Sequence, residues 1–319
     1  MATTIQPPVD RSVYKAPAGD EVSVASPVAP RPQGRERLIS LDVFRGMTVA
    51  GMLLVNNPGT WAAIYPPLEH AEWNGWTPTD LIFPFFLFIV GITTHLSLNA
   101  RRARGDSDST LIKTIVRRGA IIYVLGFLMA AFPFYQYGTA AGPTATLFDK
   151  IIFRAEHVRI MGVLARIGIV YIFAALLTLR TSLKQQVVIL ATLLYGYWFA
   201  MTLIPLTGTL NGVPGTYLGY HLLNAPSETL AAHLDRAILG VNHIWSGSLT
   251  YDPEGPFSTI PAIGTAMLGV IAGRWISQPR PLIDRIAGLF AAGCLAMVLG
   301  LMWNWSFPIN KNLWTSSYV

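Results

Sequence analysis

The sequence predicts an all-α, polytopic transmembrane helix bundle of about seven complete helices plus the start of an eighth, on three observations. Hydrophobic residues make up 52% of the 319 positions and charged residues only 13%, about half of the ~25% that covers a soluble globular domain. Apolar runs of about 20 residues, the length that crosses a hydrocarbon core of ~30 Å, recur along the chain. Lys and Arg alternate between the segments that join those runs, as the positive-inside rule requires.

In order, the runs place helices at roughly 38–57, 79–99, 112–133, 160–180, 185–206, 257–276 and 283–303, and Asn312 to Val319 reads as the start of an eighth. Residues 1–37 hold several prolines, small residues and scattered charge, which predicts a disordered cytoplasmic tail ahead of a membrane domain at 38–319. The tail lacks the apolar stretch of a signal peptide. With the N-terminal side taken as cytoplasmic, about 16 basic residues fall on that face and about 5 on the other, an N-in orientation. Three external segments follow, at about 58–78, 134–159 and 207–256, and the third is long enough to fold over the bundle mouth.

The net charge of +6 is distributed by topology, so it gives no reason to expect nucleic acid as a partner. The single cysteine, Cys294, rules out an internal disulfide, and within its apolar run it is expected to be small core filler. No histidine pair has metal-ligand spacing, so no metal is expected.

Several polar residues stand out against this background. Asp42 and Arg45, three apart, share a helical face and can pair; they either face the bundle interior or anchor the cytoplasmic end of their helix. In the first external segment, Thr77 or Thr79 can cap the following helix. Pro78 fits its first turn, and Asp80 meets the positive end of its dipole, which makes a purely structural Asp80 sufficient. His70 has no such local reason. A neutral imidazole between aromatic-rich turns and beside carboxylates is suited to take a proton from an amine or hydroxyl, although spacing alone leaves a structural histidine open. Asn56 and Asn57 close the first helix, either as a C-cap or with an amide that serves a developing oxyanion. Among the other histidines, His95 can be a satisfied interhelical polar group, and His243, near Asp235 and Asp252, draws the most interest. Arg101, Arg102, Arg117 and Arg118 bracket the turn between helices two and three. Topogenic charge explains them, and so does a landing place for phosphates.

The runs Leu38 to Gly46, Val55-Asn56 and His70 to Pro84 resemble the heparan-alpha-glucosaminide N-acetyltransferase family, and Arg159 to Arg166, Tyr251 to Ala262 and Pro308 to Tyr318 resemble its later blocks in the same order. The resemblance implies an integral-membrane, acyl-CoA-dependent N-acetyltransferase with acetyl-CoA as donor substrate and an amino-sugar or glycan acceptor on the external face. It puts the family's active histidine at His70 and its catalytic asparagine at Asn56. Asp80, Asp42, Arg45 and His243 are expected to support them, and Arg101, Arg102, Arg117 and Arg118 to hold the donor's phosphates. Ala165 stands where the family usually has glutamine. The family continues for several more helices, so a C-terminally truncated form is expected. A multi-pass protein of a bacterial plasma (inner) membrane is the expected setting, with the lipid bilayer as its surroundings and a homo-oligomer left open. The rival reading is a permease for an amino sugar or cell-wall fragment, which the absence of an inverted repeat argues against.

Overall fold

The computed structural model describes residues 38–319, and the expected tail at 1–37 lies outside the described residues. All seven expected helices form: α1 (Ile39–Val55), α2 (Pro78–Ala103), α3 (Asp108–Ala131), α5 (Val163–Arg180), α6 (Leu183–Leu203), α9 (Thr259–Ile276) and α10 (Leu282–Trp303). Six of them, α1 excepted, are long and apolar enough to cross a membrane. Helix α1 has 17 residues, about 25 Å at 1.5 Å per residue. It stops where Asn56 and Asn57 turn their amides back onto the Met52 and Leu53 carbonyls, ahead of Pro58. The protein is thus a multi-pass membrane protein.

The segments expected to be external carry more structure than the sequence predicts. Within the second lies α4 (Leu147–Glu156), capped by a reciprocal Thr146–Asp149 box. The third holds the antiparallel hairpin of β1 (Pro205–Leu210) and β2 (Val213–Leu218), then the short α7 (Gly219–Leu222) and α8 (Leu230–Leu239). The stretch expected to open an eighth helix is turned instead, because side chains take over the backbone pairing that a helix needs. Asn310 Oδ1 accepts from the Leu313 N–H at 2.9 Å, and Thr315 Oγ1 accepts from the Asn310 N–H at 3.0 Å.

At the centre α2, α5 and α9 surround a core of Leu87, Val170, Ala174, Ala266 and Met267, all without solvent exposure. No hydrophobic effect distinguishes helix from lipid, so close approach has to supply the attraction. Glycines allow it. A Cβ at Gly91 would collide with the Ala266 carbonyl, and one at Gly269 with the Phe88 carbonyl. Gly269 and Gly273 form a small-xxx-small face of the kind that lets membrane helices approach closely. Helices α3 and α5 cross in the same way, with Gly168 against the Gly119 carbonyl. By contrast α10 buries none of its residues, and Cys294 on it is exposed rather than core filler. An apolar surface without protein cover is left to lipid.

The α2–α9 contact gives a direct test. Gly91→Ala is expected to lower thermal stability in detergent, at an overpacking cost of about 1–3 kcal/mol. Gly293→Ala, where a Cβ meets nothing within 4 Å, should leave the melting temperature unchanged or raise it. Equal melting temperatures would show that the helices are not packed this closely.

Candidate functional site

The site is built at the start of α2, where the segment that joins it to α1 enters the bundle. Thr77 is the N-cap, Pro78 occupies the first helical position, and Asp80 completes the capping box. The Asp80 side chain is 1% exposed and both of its oxygens are used. Oδ2 accepts from the backbone N–H groups of Thr77 at 3.0 Å and Ala71 at 3.1 Å. Oδ1 lies 2.7 Å from His70 Nδ1. Cap and histidine partner are therefore one carboxylate. With Asp80 ionised, Nδ1 carries the proton and donates it, which leaves the Nε2 lone pair as the basic site. The His70 side chain is 44% exposed, so the ring is accessible from outside.

A third residue joins them from far along the chain. Lys311 Nζ stands 3.0 Å from His70 Nδ1, 3.3 Å from Nε2 and 3.3 Å from Asp80 Oδ1. It is delivered by a seam between the first segment and the turned end of the chain. Gly75, at φ +93°, donates its N–H to the Ile309 carbonyl at 2.7 Å, and the Asn310 amide reaches Asn74 at 3.3 Å. The Trp73 indole N–H fixes the other side of the loop on the Leu223 carbonyl at 2.8 Å. Burial pushes the Lys311 amine below its ordinary value against the opposing pull of Asp80.

Behind the dyad lies a layer of charge. Arg159 grips Asp252 through two hydrogen bonds, 2.9 Å from Nε and 2.5 Å from Nη2, and also pairs with Glu254. Burial is the largest single influence and works against the charge on Arg159, but the hydrogen bonds and attraction of Asp252 and Glu254 together outweigh it and raise its pKa. Asp235, on α8, accepts from the Asp252 N–H at 3.0 Å through Oδ2. Its Oδ1 is buried without a partner among the described residues. Burial, with the Asp252 carboxylate adding to it, pushes Asp235 up to about 7.

The structure thus brings His70 and Asp80 together and leaves the other expected residues apart. Asn56 closes α1 with its amide on its own helix, 2.9 Å from the Met52 carbonyl, and no hydrogen bond joins it to His70 among the described residues. Asp42 and Arg45 do pair, at 2.6 Å, roughly 20 Å along α1 from Asn56. His243 donates from Nδ1 to the Val158 carbonyl at 2.7 Å, which anchors the loop that carries Arg159. His95 is buried with the Asn99 amide of its own helix 2.9 Å from its Nε2.

At the opposite end of the bundle the four arginines separate. Arg101 stands at one end of a groove of about 510 Å³ between α2 and α3, which Arg118 lines further along and Ile167 and Tyr171 of α5 floor. Arg102 lines a second cavity, of about 460 Å³, with Arg274, Asn99 and Ser277. Arg117 is exposed and lines neither. Two of the four are already engaged, Arg101 by Asp106 at 2.8 Å and Arg102 by the Leu179 carbonyl at 2.7 Å. Among the described residues no cluster of His, Cys, Asp and Glu could hold a metal ion. Sequence reasoning missed Lys311, Asp235 and the Arg159–Asp252–Glu254 cluster as site residues. The available signal was opposite charges in the segments flanking the ends of apolar runs on one side of the bundle.

Comparison with known proteins bears directly on this arrangement. Residues 37–298 match the family described as "Heparan-alpha-glucosaminide N-acetyltransferase, catalytic". The chain belongs to that family. It is 32% identical to the heparan-alpha-glucosaminide N-acetyltransferase of Mus musculus over 332 residues, 91% of this chain and 47% of that protein. To the Homo sapiens protein of the same name it is 32% identical over 324 residues, 89% of this chain and 46% of that one. The chain therefore spans about half the length of the curated relatives it matches.

Asp235 supplies a pH prediction for this family member. An acid held up at about 7 when folded and at its ordinary 3.8 when unfolded keeps, between those values, a proton that the unfolded chain has lost. Its contribution to stability then falls as pH rises through that window and levels off above it. Thermal melts in detergent from pH 4 to 8 should show this decline in the wild type and a flatter profile in Asp235→Asn, with the variant at least as stable at pH 8. Parallel profiles would show that Asp235 is ionised throughout.

Proposed function

We propose that this chain carries the transfer machinery of an integral-membrane, acyl-CoA-dependent N-acetyltransferase, with His70 as the group that activates the acceptor. The observation that supports this best is the His70–Asp80 dyad, an accessible imidazole whose proton is fixed on Nδ1 by a buried carboxylate. The names of the relatives supply the reaction class. Acetyl-CoA is the donor, and an amino sugar or glycan at the His70 end is the acceptor. The N-terminus is cytoplasmic, and the membrane is a bacterial plasma membrane.

The acceptor amine attacks the thioester carbonyl carbon and forms the C–N bond. His70 Nε2 removes the amine proton as that bond forms. The tetrahedral intermediate collapses, the C–S bond breaks, and the sulfur leaves as a thiolate that takes the proton from the imidazolium. In the two-step variant Nε2 itself attacks the carbonyl, the thiol departs, and the amine then resolves an acetyl-imidazole. Asp80 holds the tautomer in either route and stabilises the imidazolium. Asn56 is assigned to the oxyanion or to orienting His70, for which its amide would have to leave the Met52 carbonyl. The donor's phosphates are assigned to the arginine end, where Arg101 and Arg118 flank the α2–α3 groove and Arg102 faces the second cavity.

The test is transfer from labelled acetyl-CoA to glucosamine by the purified protein in liposomes. His70→Ala should lose on the order of 10²–10⁴ in rate, and Asp80→Asn a comparable factor through loss of the tautomer. Full activity in His70→Ala would remove the imidazole from the mechanism. Uptake of the sugar into vesicles without any acyl-CoA would replace the transferase with a permease.

A further inference from the structure

Arg166 is the largest buried charge that the mechanism above does not use. It sits in the first turn of α5 with no solvent exposure. Its Nη2 donates to the Ser258 hydroxyl and, at 3.5 Å, to the Gly255 carbonyl. Nε and Nη1 are buried and have no acceptor among the described residues. No carboxylate among the described residues forms an ion pair with it. Asp252 and Glu254 are taken by Arg159, and Asp235, whose Oδ2 accepts from the Asp252 N–H, keeps an unpartnered Oδ1 without bonding Arg166. A guanidinium cannot shed its charge, so buried donors left this way are open to a further acceptor.

Its position says what that acceptor is. The guanidinium lies over the Trp314 ring, 5.0 Å from the centroid. Trp314 closes a turn on Lys311, with its N–H 3.0 Å from the Lys311 carbonyl, so the two Cα atoms are within about 7 Å. Lys311 in turn touches His70. Arg166 is therefore linked to the imidazole through Trp314 and Lys311. The groove between α2 and α3 that starts at Arg101 passes Arg118 and runs to Phe86, Ile122 and Ile167, the residue after Arg166. From Arg101 to Phe86 along α2 is about 22 Å, comparable to the reach of an extended pantetheine arm.

We propose that Arg166 receives the acyl carbonyl oxygen of the thioester donor on its free Nε and Nη1 donors and stabilises the oxyanion that forms there. This rests on the donor reading above. The chemistry suits a carbonyl oxygen, which gains charge as the amine attacks. A preorganised buried cation is worth most at the atom where charge develops. Transfer itself is unchanged in its bonds: C–N forms, C–S breaks, and the proton passes through His70.

The experiment is isotope-edited infrared spectroscopy of acetyl-CoA labelled with ¹³C at the carbonyl, bound to the full-length protein carrying His70→Ala so that the donor persists. The thioester carbonyl band should shift to lower frequency than in free acetyl-CoA. Adding Arg166→Gln should return it towards the free position, and Arg166→Lys, which keeps the cation with fewer donors, should give an intermediate band. With His70 intact, Arg166→Gln should lower kcat by on the order of 10²–10³ with little change in KM for acetyl-CoA. If the glutamine variant does not fold, the lysine variant gives the comparison, and an unmoved band in it overturns the proposal. A bound carbonyl at the free frequency, or a shift that survives both substitutions, also overturns it. Failure of acetyl-CoA to bind at all, in either the wild type or His70→Ala, would instead overturn the donor reading and this proposal with it.

Discussion

The Asp80 carboxylate organises this end of the molecule because two unrelated demands meet on it. Helix α2 needs an acceptor for the N–H groups at its start, and His70 needs an anion to hold its proton on Nδ1. Asp80 meets both with different oxygens while almost fully buried. A buried charge is tolerated only when it is paired and hydrogen-bonded, and the Thr77 and Ala71 N–H groups together with Lys311 supply that satisfaction. The orientation of the imidazole is therefore tied to the helix start.

That tie holds only if α2 is itself rigid, and its rigidity comes from packing at the other glycine-lined face. Gly91 and Gly269 let α2 and α9 approach until backbone meets backbone. Trp314 then fills the space beside Phe83 at the His70 end, with ring centroids 5.2 Å apart. The Tyr318 hydroxyl donates to the Asp80 carbonyl at 2.5 Å, and the Tyr197 hydroxyl to the Leu313 carbonyl at 2.6 Å. The turned segment 309–319 is thus pinned on several sides, and this is what lets it place Lys311 against His70.

Much of this was legible in the sequence. The helices followed from apolar run length, and the alternating Lys and Arg predicted which loops share an end. The Thr77-Pro78-Thr79-Asp80 run announced a helix start, and the family blocks drew attention to His70. Local pattern could not show that Asp80 would also serve the histidine, because that depends on how the loop 69–77 folds back. Lys311 lies 241 residues from its partner, and nothing near it in sequence points there. Helices α4 and α8 are amphipathic and short, hidden in segments read as loops, although the Thr146–Asp149 box was a readable sign of the first. The hairpin at 205–218 contains Pro205, Pro214 and three glycines among positions 208, 212 and 215, residues that ordinarily argue against a strand. The stretch from Asn312 to Val319 suggested the start of a helix, but Asn310 and Thr315 diverted its backbone bonds.

The claim at the centre is that Asp80 fixes the His70 tautomer and so leaves Nε2 basic. Nitrogen-15 NMR of histidine-labelled protein, with the His70 signals assigned by their loss in His70→Ala, reads this directly. The account requires a protonated Nδ1 and an unprotonated Nε2 for the neutral ring, and redistribution of the proton between the two nitrogens in Asp80→Asn. A proton on Nε2 in the wild type, or a pattern indifferent to Asp80→Asn, would contradict it.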